Sequence, residues 1–327
     1  MKLKEITIEI TQQCPNYCIH CSSMSSLSKN HMMPLEKVKE LIDDVDILGC
    51  EQISFSGGEP FLHKDLVKMV AYAYRKGMRV AVYTSGIYND SKGYSAIPIK
   101  HLMELLPYSC KIIVNYEAST PETYDTIMGT KVEGWRLLHE TILHCVRMGL
   151  EIEAHTVPMP INYRQIPDII MQCSALGIKK VSFLRLVFQG RAKDNERLTL
   201  LSEEQQNEAK AIIYKMREQL PNHIRIGIPL SDCSGSVNCL AGTTKLNVRY
   251  DGNVYPCEAF KDDANNESFT HTPQNVYNNR LIDIYQNSAF LVEVRKSLEE
   301  YHSVCNKEKC FNQYLRKYLR FASEDYR

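Results

Sequence analysis

Apolar residues recur along the first two-thirds of the chain in short strand-like runs that are separated by helical patterns. Thr7-Ile8-Glu9-Ile10 alternates polar and apolar positions and predicts a first strand that ends just before a cysteine-rich segment. Five further apolar runs predict strands, and these cover residues 52–55, 79–83, 111–116, 150–157 and 180–187.

Apolar residues at helical spacing fill the intervals between these runs. Pro34 suits the first turn of a helix and Gly49 suits its end, which predicts the first helix. Ser202 is a candidate cap of a later helix. The other predicted helices cover residues 66–74, 135–147, 166–175 and 203–220.

The six strand–helix repeats define a fold class. Short connections between them predict a parallel sheet, because parallel neighbours need crossover helices. Eight repeats would close a barrel, so six predict an open, partial (β/α)6 barrel of the TIM type with functional groups at the carboxyl ends of its strands. The pattern changes after residue 220. We therefore expect an α/β fold with a partial barrel at 1–220 and a smaller domain at 221–327.

Composition narrows the class of protein. Lys+Arg and Asp+Glu both total 39 in 327 residues, so the formal net charge is zero. The chain therefore lacks the excess positive charge that would indicate nucleic acid or an anionic membrane as a partner. The N-terminus contains acids and alternates like a strand, unlike a signal peptide, and no apolar stretch is long enough to span a bilayer. Twelve cysteines in such a chain favour metal ligation in a reducing, cytoplasmic setting.

Three of these cysteines lie close together after the first predicted strand. Cys14, Cys18 and Cys21 occupy the run Cys-Pro-Asn-Tyr-Cys-Ile-His-Cys. Iron–sulfur clusters usually take a full set of cysteines, so a loop with three leaves one iron open to a small molecule. Structural zinc is the alternative, but zinc usually takes four ligands, and the available fourth, His20, lies between two of the cysteines.

A second motif follows the second predicted strand. In Ser56-Gly57-Gly58-Glu59-Pro60, the two glycines permit a close backbone approach to a ligand, and Glu59 is an acceptor suited to an ammonium group. The sequence Gly-Gly-Glu-Pro by itself is more often an ordinary turn. Their position on the same rim as the cysteine loop favours a binding function.

Together these two motifs closely resemble the radical S-adenosylmethionine superfamily, over roughly residues 1–200. The resemblance implies a four-iron–four-sulfur cluster on Cys14, Cys18 and Cys21 whose open iron binds S-adenosylmethionine. It also implies reductive cleavage of that molecule to methionine and a 5′-deoxyadenosyl radical, which abstracts a hydrogen from the substrate. A flavodoxin or ferredoxin is the electron donor that it implies.

The resemblance also implies roles for further residues. Gly57, Gly58 and Glu59 would receive the methionyl ammonium, and His20, before the third cysteine, would support the adenine. Polar groups at later strand ends would hold the ribose and the carboxylate; the alternative is that some are merely solvated strand ends. By position these are Thr84, Ser85, Glu117, Ser119, His155 and Arg185.

A second group of cysteines lies in the C-terminal third. Asp251-Gly252 between two alternating runs predicts a β-hairpin that brings Cys239 towards Cys257, and Cys305 and Cys310 follow near a basic and aromatic helix. Four such thiolates could hold either a complete cluster or zinc. The Cys239, Gly252 and Cys257 spacing resembles the SPASM and Twitch domains, and four cysteines fit the Twitch form with one auxiliary four-iron–four-sulfur cluster.

Cys233 lies in a polar stretch outside both groups. Cys50, Cys110, Cys145 and Cys173 lie on apolar faces of predicted helices or strands, and we expect them to be chemically inert. Peptide epimerases of this superfamily use a cysteine to return a hydrogen atom to an α-carbon radical. That resemblance makes Cys233 a candidate donor; its alternative role is auxiliary cluster ligand.

Three kinds of function therefore compete. A maturase of a ribosomally made precursor peptide is favoured, with epimerisation first and thioether or other crosslinking second. A small-molecule enzyme of the molybdopterin-cyclase type is a less favoured alternative. The second cluster of that family has three cysteines with a Cys-x2-Cys pair, and its chain ends in Gly-Gly; neither feature occurs in the C-terminal third here. An electron carrier would need no open iron. With thirteen residues before Cys14, we expect no separate leader-binding domain.

Overall fold

The computed structural model describes residues 2–130, 132–220, 224–227, 239–261 and 269–304, without the side chains of the last three. Its strands are β1 (Glu5–Thr11), β2 (Gln52–Gly57), β3 (Arg79–Thr84), β4 (Ile87–Asp90), β5 (Gly93–Ala96), β6 (Lys111–Asn115), β7 (Ile152–Thr156), β8 (Lys180–Phe183), β9 (Arg225–Gly227), β10 (Lys245–Val248) and β11 (Val254–Tyr255).

Helices connect most of these strands. They are α1 (Leu35–Ile47), α2 (Leu66–Arg75), α3 (Ile99–Met103), α4 (Pro121–Met128), α5 (Gly134–Met148), α6 (Ile166–Ala175), α7 (Arg191–Asp194), α8 (Glu196–Thr199), α9 (Glu203–Gln219), α10 (Leu281–Asn287) and α11 (Ala289–Val304). The predicted cap of α9 is confirmed, because Ser202 and Gln205 form a reciprocal capping box.

The main sheet confirms the partial barrel. Its order is β11-β10-β1-β2-β3-β6-β7-β8-β9, and the six predicted strands are consecutive parallel neighbours within it. The sixth predicted strand ends at Phe183 and not at residue 187, so Arg185 lies beyond its carboxyl end.

Alternation along β1 shows how the sheet positions the site. Ile6, Ile8 and Ile10 belong to the buried core, whereas Thr7 and Glu9 point to the opposite face, as the two-residue period of a strand requires. Thr7 Oγ1 donates to Glu258 and Glu9 accepts from Ser23, so this inner face is lined by hydrogen-bonded polar groups. The barrel therefore has an apolar exterior under its helices and a polar interior.

The C-terminal hairpin is confirmed, but its location is a finding of the structure. β10 and β11 pair antiparallel around Asp251 and Gly252, and Gly252 has a φ of 89°. β10 also pairs in parallel with β1, so the hairpin extends the barrel sheet. Alternation predicts a strand without predicting which edge it joins.

Among the described residues, no helix is long and apolar enough to cross a bilayer. The assignment of Cys50, Cys110, Cys145 and Cys173 to apolar faces is confirmed, because all four are buried.

Candidate active site

The cysteine loop begins where β1 ends and is held by backbone hydrogen bonds. Cys14 is buried, and Cys18 and Cys21 are partly exposed. The Cys14 N–H donates to the Ser26 carbonyl at 3.2 Å, and the Cys21 N–H donates to the Cys18 carbonyl at 3.2 Å. These bonds fold the loop back on itself, so that its three thiols share one end of the barrel.

The two motif glycines pack directly against the start of this loop. A Cβ on Gly57 would lie 2.2 Å from the Thr11 carbonyl oxygen, and one on Gly58 would lie 2.1 Å from the Gln13 carbonyl oxygen. Gly57 also has a φ of 129°, which disfavours any other residue. The Gly58 N–H donates to Thr11 and the Glu59 N–H donates to Gln13, at 2.6 and 2.7 Å. The two glycines therefore allow the backbone of β2 to pack closely against the start of the cysteine loop. Their contact with S-adenosylmethionine stays a prediction.

Glu59 is fully buried and already accepts four hydrogen bonds from the protein. One carboxylate oxygen accepts from Thr84 Oγ1 at 2.8 Å and the Phe61 N–H at 3.2 Å. The other accepts from the Ser85 N–H at 2.8 Å and Ser85 Oγ at 2.6 Å. Three residues expected to contact the cofactor therefore form one network that joins the ends of β2 and β3. Binding of the methionyl ammonium by Glu59 remains a prediction.

This network predicts a pH dependence of stability. Burial raises the pKa of the Glu59 carboxyl to about 7, against the hydrogen bonds from Ser85 and Thr84 that lower it. Because the folded pKa exceeds the unfolded one, the stability contributed by Glu59 is present at low pH and falls as the pH rises through the interval from about 4.3 to 7. In Glu59→Gln, which does not titrate, we expect this decrease to disappear.

The measurement is the free energy of unfolding of the wild type and Glu59→Gln by urea between pH 5 and 8. The difference between the two proteins should change by up to about 1.4 kcal/mol per pH unit below pH 7 and be constant above it. A constant difference over the whole range would contradict the raised pKa. Subtraction removes the contributions of other groups, which titrate in both proteins.

The structure brings His20 and Glu117 together, and the cofactor contacts expected of both stay predictions. The His20 Nε2 lies 3.5 Å from a Glu117 carboxylate oxygen. Burial, with Arg191 nearby, lowers the pKa of His20 to about 4. Burial raises the pKa of Glu117 to about 7, although the Val157 N–H donates to it at 2.8 Å. The pair lies beside the cysteine loop, where Glu117 also acts electrostatically on Cys18.

Three other candidates lie at or beyond the ends of later strands. Ser119 is bonded through its N–H and Oγ to Gln165, at 2.9 and 3.1 Å. Arg185 is partly buried beyond β8. His155 lies on the inner face of the barrel, where its Nε2 donates to Glu153 at 3.0 Å. The cofactor contacts expected of these residues stay predictions.

His155 lines a cavity inside the barrel. The cavity has a volume of about 860 Å³ and runs along the inner face from the N-terminal ends of β2, β3, β6, β7 and β8. Its wall is mainly polar and aromatic, with Tyr83, Glu153 and Lys180 beside His155. His155 is the penultimate residue of β7, so it lies near the carboxyl end of that strand, and its side chain faces the interior of the barrel.

Two residues that contact the cysteine loop or its neighbour Glu9 were not predicted from the sequence. Arg191 bonds to two of its carbonyl groups, and Lys261 forms a buried ion pair with Glu9 and donates to Ser23 at 2.8 Å. Neither cation belongs to a motif. The sequence contained one indication of Lys261. Glu9 occupies an inward position of β1, and a buried carboxylate requires a partner.

Burial controls the chemistry of the thiols. It raises the pKa of Cys14 well above its usual value, and the neighbouring Cys18 and Glu59 add to the shift. Burial also raises the pKa of Cys18, followed by the effect of Cys21. A bound metal deprotonates such thiols outright. Without a metal, the raised pKa keeps Cys14 and Cys18 protonated at neutral pH, so neither is an activated nucleophile.

Polar atoms left without partners show that the loop fits a bound group. Both amide atoms of the Asn16 side chain, the Ser25 Oγ and the His20 Nδ1 are buried and have no hydrogen-bond partner. Buried polar groups are nearly always paired, so a cluster with its bound cofactor is a suitable missing partner.

The second cysteine group is only partly described. Cys239 and Cys257 are both partly exposed and flank the β10–β11 hairpin. The Gly242 N–H donates to the Pro256 carbonyl at 2.9 Å, which draws the two flanks together. The predictions for Cys233, Cys305 and Cys310 lie outside the described residues.

Comparison with known families decides the assignment. The family model described as "Radical SAM superfamily" matches residues 8–173, more than half of the chain. The chain belongs to the radical SAM superfamily. A second model, "SPASM: Iron-sulfur cluster-binding domain", matches residues 239–311 and includes Cys239, Cys257, Cys305 and Cys310.

Two curated relatives of this radical SAM chain have different names and different degrees of similarity to it. A "PqqA peptide cyclase" of Bradyrhizobium diazoefficiens is 24% identical over 90% of the chain and 78% of the relative. An "Fe-coproporphyrin III synthase" of Methanosarcina barkeri is 29% identical over 64% of the chain and 50% of the relative.

A solved structure supports the fold over almost the whole length. SuiB of Streptococcus suis, crystallised with its precursor peptide SuiA, covers 97% of this chain and 74% of its own, with a TM-score of 0.75 and 14% identity. Another SuiB crystal contains S-adenosylmethionine. At this identity the likeness shows the fold alone.

The cofactors follow from family membership. The radical SAM part takes a four-iron–four-sulfur cluster and S-adenosylmethionine, and the SPASM part takes an auxiliary four-iron–four-sulfur cluster. We propose Cys14, Cys18 and Cys21 as ligands of the first cluster. For the auxiliary cluster we propose Cys239, Cys257, Cys305 and Cys310.

Proposed function

We propose that this radical SAM enzyme modifies a ribosomally made precursor peptide. The observation that carries the proposal is the alignment with a PqqA peptide cyclase over 90% of the chain. The SuiB fold, crystallised with a precursor peptide, supports the same class of substrate. When bound, the cluster supplies one electron that cleaves S-adenosylmethionine to methionine and a 5′-deoxyadenosyl radical, which takes a hydrogen atom from the peptide.

The chain's own residues position this chemistry. The cysteine loop holds the cluster at the carboxyl ends of the strands, and Gly57 and Gly58 fix the loop against β2. The cavity of about 860 Å³ inside the barrel has the size of known ligand sites and would take a short extended segment of a peptide. Tyr83 and His155 on its wall offer aromatic surface and polar atoms for that segment.

Within this class we favour epimerisation of an α-carbon. The 5′-deoxyadenosyl radical removes the Cα hydrogen and becomes 5′-deoxyadenosine, and Cys233 returns a hydrogen atom to the opposite face. The resulting thiyl radical needs one electron and one proton, and a flavodoxin or ferredoxin would supply that electron as well as the one used in cleavage. Crosslinking is the alternative, and it removes hydrogen from the peptide without replacing it.

One experiment in heavy water tests both levels of the proposal. The reconstituted enzyme, S-adenosylmethionine and a reductant are incubated anaerobically with candidate precursor peptides, chosen from short reading frames next to the gene. Epimerisation adds one deuterium per modified residue, whereas crosslinking lowers the peptide mass by two hydrogens. In Cys233→Ala we expect cofactor cleavage without deuterium incorporation.

Each result has a defined meaning. If Cys233→Ala labels the product normally, Cys233 is not the donor. If 5′-deoxyadenosine forms and the peptide stays unchanged in mass and chirality, the peptide assignment fails. Modification of an iron porphyrin would then be the next hypothesis, because the Fe-coproporphyrin III synthase is 29% identical over 64% of the chain. Cys145→Ala, which removes a buried thiol on α5, is the matched control.

A further inference from the structure

The segment that follows β8 holds the cysteine loop from outside the motif. Gly190 has a φ of 53°, and a Cβ there would lie 2.7 Å from the Cys21 carbonyl oxygen. The next residue, Arg191, begins α7 and is only 4% exposed. The glycine thus allows a close approach that brings the buried arginine against the loop.

Arg191 binds the loop at several points. Its Nε donates to the Cys18 carbonyl at 2.8 Å, and its Nη2 donates to the Ser25 carbonyl at 2.9 Å. The guanidinium carbon lies 3.9 Å from the centre of the Tyr17 ring. The Arg191 N–H also donates to the Cys21 carbonyl, at 3.2 Å. Arg191 therefore forms hydrogen bonds with the backbone of Cys18, Cys21 and Ser25.

A neighbouring side chain adds to this hold. Asn195 Nδ2 donates to the Ile19 carbonyl at 3.3 Å and to the Arg191 carbonyl at 2.8 Å. Four carbonyl groups of the loop thus accept hydrogen bonds from Arg191 and Asn195, which lie more than 160 residues later in the chain. Such outer partners orient metal ligands in other proteins.

The positive charge of Arg191 is directed at the loop. In the described part of the chain, no carboxylate forms an ion pair with Arg191; its guanidinium contacts carbonyl oxygens and an aromatic ring. A buried cation near a cluster favours the reduced form, which carries one more negative charge.

We propose that Arg191 is a positioning residue with two effects on the radical SAM cluster. Its guanidinium bridges the Cys18 and Ser25 carbonyl groups and fixes the ligand loop. Its charge raises the reduction potential of the cluster. The proposal rests on Cys14, Cys18 and Cys21 as ligands and is independent of the substrate.

Two substitutions separate these effects. Arg191→Lys keeps the charge, but a lysine cannot form the planar double contact. Arg191→Gln removes the charge. Arg136→Gln is the control, because Arg136 is exposed on α5 and pairs with Glu133 and Glu140. The readouts on reconstituted protein are iron content, the cluster potential from a redox titration followed by electron paramagnetic resonance, and hydrogen exchange of amides 12–34.

We expect faster loop exchange in both Arg191 variants, a more negative potential only in Arg191→Gln, and roughly tenfold or greater loss of 5′-deoxyadenosine formation in both. If Arg191→Gln binds too little iron for a titration, iron loss with normal helical content supports the fixing of the loop. Unchanged exchange in Arg191→Lys would overturn that effect. An unchanged potential in Arg191→Gln would overturn the electrostatic one.

If Cys14→Ala retains the cluster, the ligand assignment fails before this proposal is reached. An effect of Arg136→Gln equal to that of the Arg191 variants would show a general response to lost charge and would also overturn the proposal.

Discussion

Substitution of Cys14 by alanine is expected to abolish formation of 5′-deoxyadenosine. Cys14 is buried where the loop leaves β1, and its thiol interacts with those of Cys18 and Cys21. With only three thiolates available to the cluster, removal of one leaves two irons without protein ligands.

Iron content and product analysis check this expectation. Two four-iron clusters correspond to about eight irons per reconstituted chain, and Cys14→Ala should hold about four. The matched control is Cys145→Ala, which also removes a fully buried thiol but lies in α5 among core residues. The control should keep its iron and its activity. An unchanged 5′-deoxyadenosine yield in Cys14→Ala would refute the ligand assignment.

Substitution of Lys261 by methionine is expected to lower the free energy of unfolding by about 3–5 kcal/mol. Lys261 and Glu9 form an ion pair in which both side chains are buried. Without the lysine, the Glu9 carboxylate stays buried with Ser23 Oγ as its donor at 3.0 Å, and its second oxygen has no partner. An uncompensated buried charge is much more costly than a lost surface pair.

A double variant and a surface control define the cause. Glu9→Gln/Lys261→Met removes both charges and should recover part of the lost stability, as measured by urea unfolding of the iron-free protein. Lys100→Met removes an exposed lysine that lies 4.0 Å from Glu104, and it should change stability by less than about 0.5 kcal/mol. A Lys261→Met protein as stable as the Lys100→Met protein would contradict the importance of this pair.

This ion pair also connects the two parts of the chain. Lys261 follows Cys257 and the short helix at Glu258–Phe260, and it contacts Glu9 on β1 and Ser23 on the cysteine loop. Loss of the pair should therefore loosen the region of the auxiliary cysteines as well as the radical SAM loop. Reduced iron uptake by Lys261→Met would be consistent with this connection.

The periodicity of the sequence predicted most of the barrel because each strand and helix has a local signal. Alternation or continuous apolar runs located all six strands to within a few residues, except that the sixth ends at Phe183. The hairpin at β4 and β5 and the short helices α3 and α4 were not predicted. Their segments are short, and in such segments tertiary contacts outweigh the local pattern.

The candidate site was predictable only where a motif was involved. Cys14, Cys18 and Cys21 lie within one short segment, and Gly57 and Gly58 are adjacent, so each motif was visible in the sequence. The actual use of the glycines was not visible, because it depends on the Thr11 and Gln13 carbonyl groups of another strand. Glu59, expected to face a ligand, bonds to Thr84 and Ser85 because the ends of β2 and β3 are neighbours.

By itself the sequence determined the fold class, the cofactors and the family, because these depend on local periodicity and on the spacing of a few cysteines and glycines. Only the tertiary structure decided how the ligand loop is held. Arg191 reaches Cys18 across 173 positions, and Lys261 reaches Glu9 across 252. Contacts over such distances arise when separate elements pack, and a buried cation has no periodic pattern that would show which carbonyl or carboxylate it will meet.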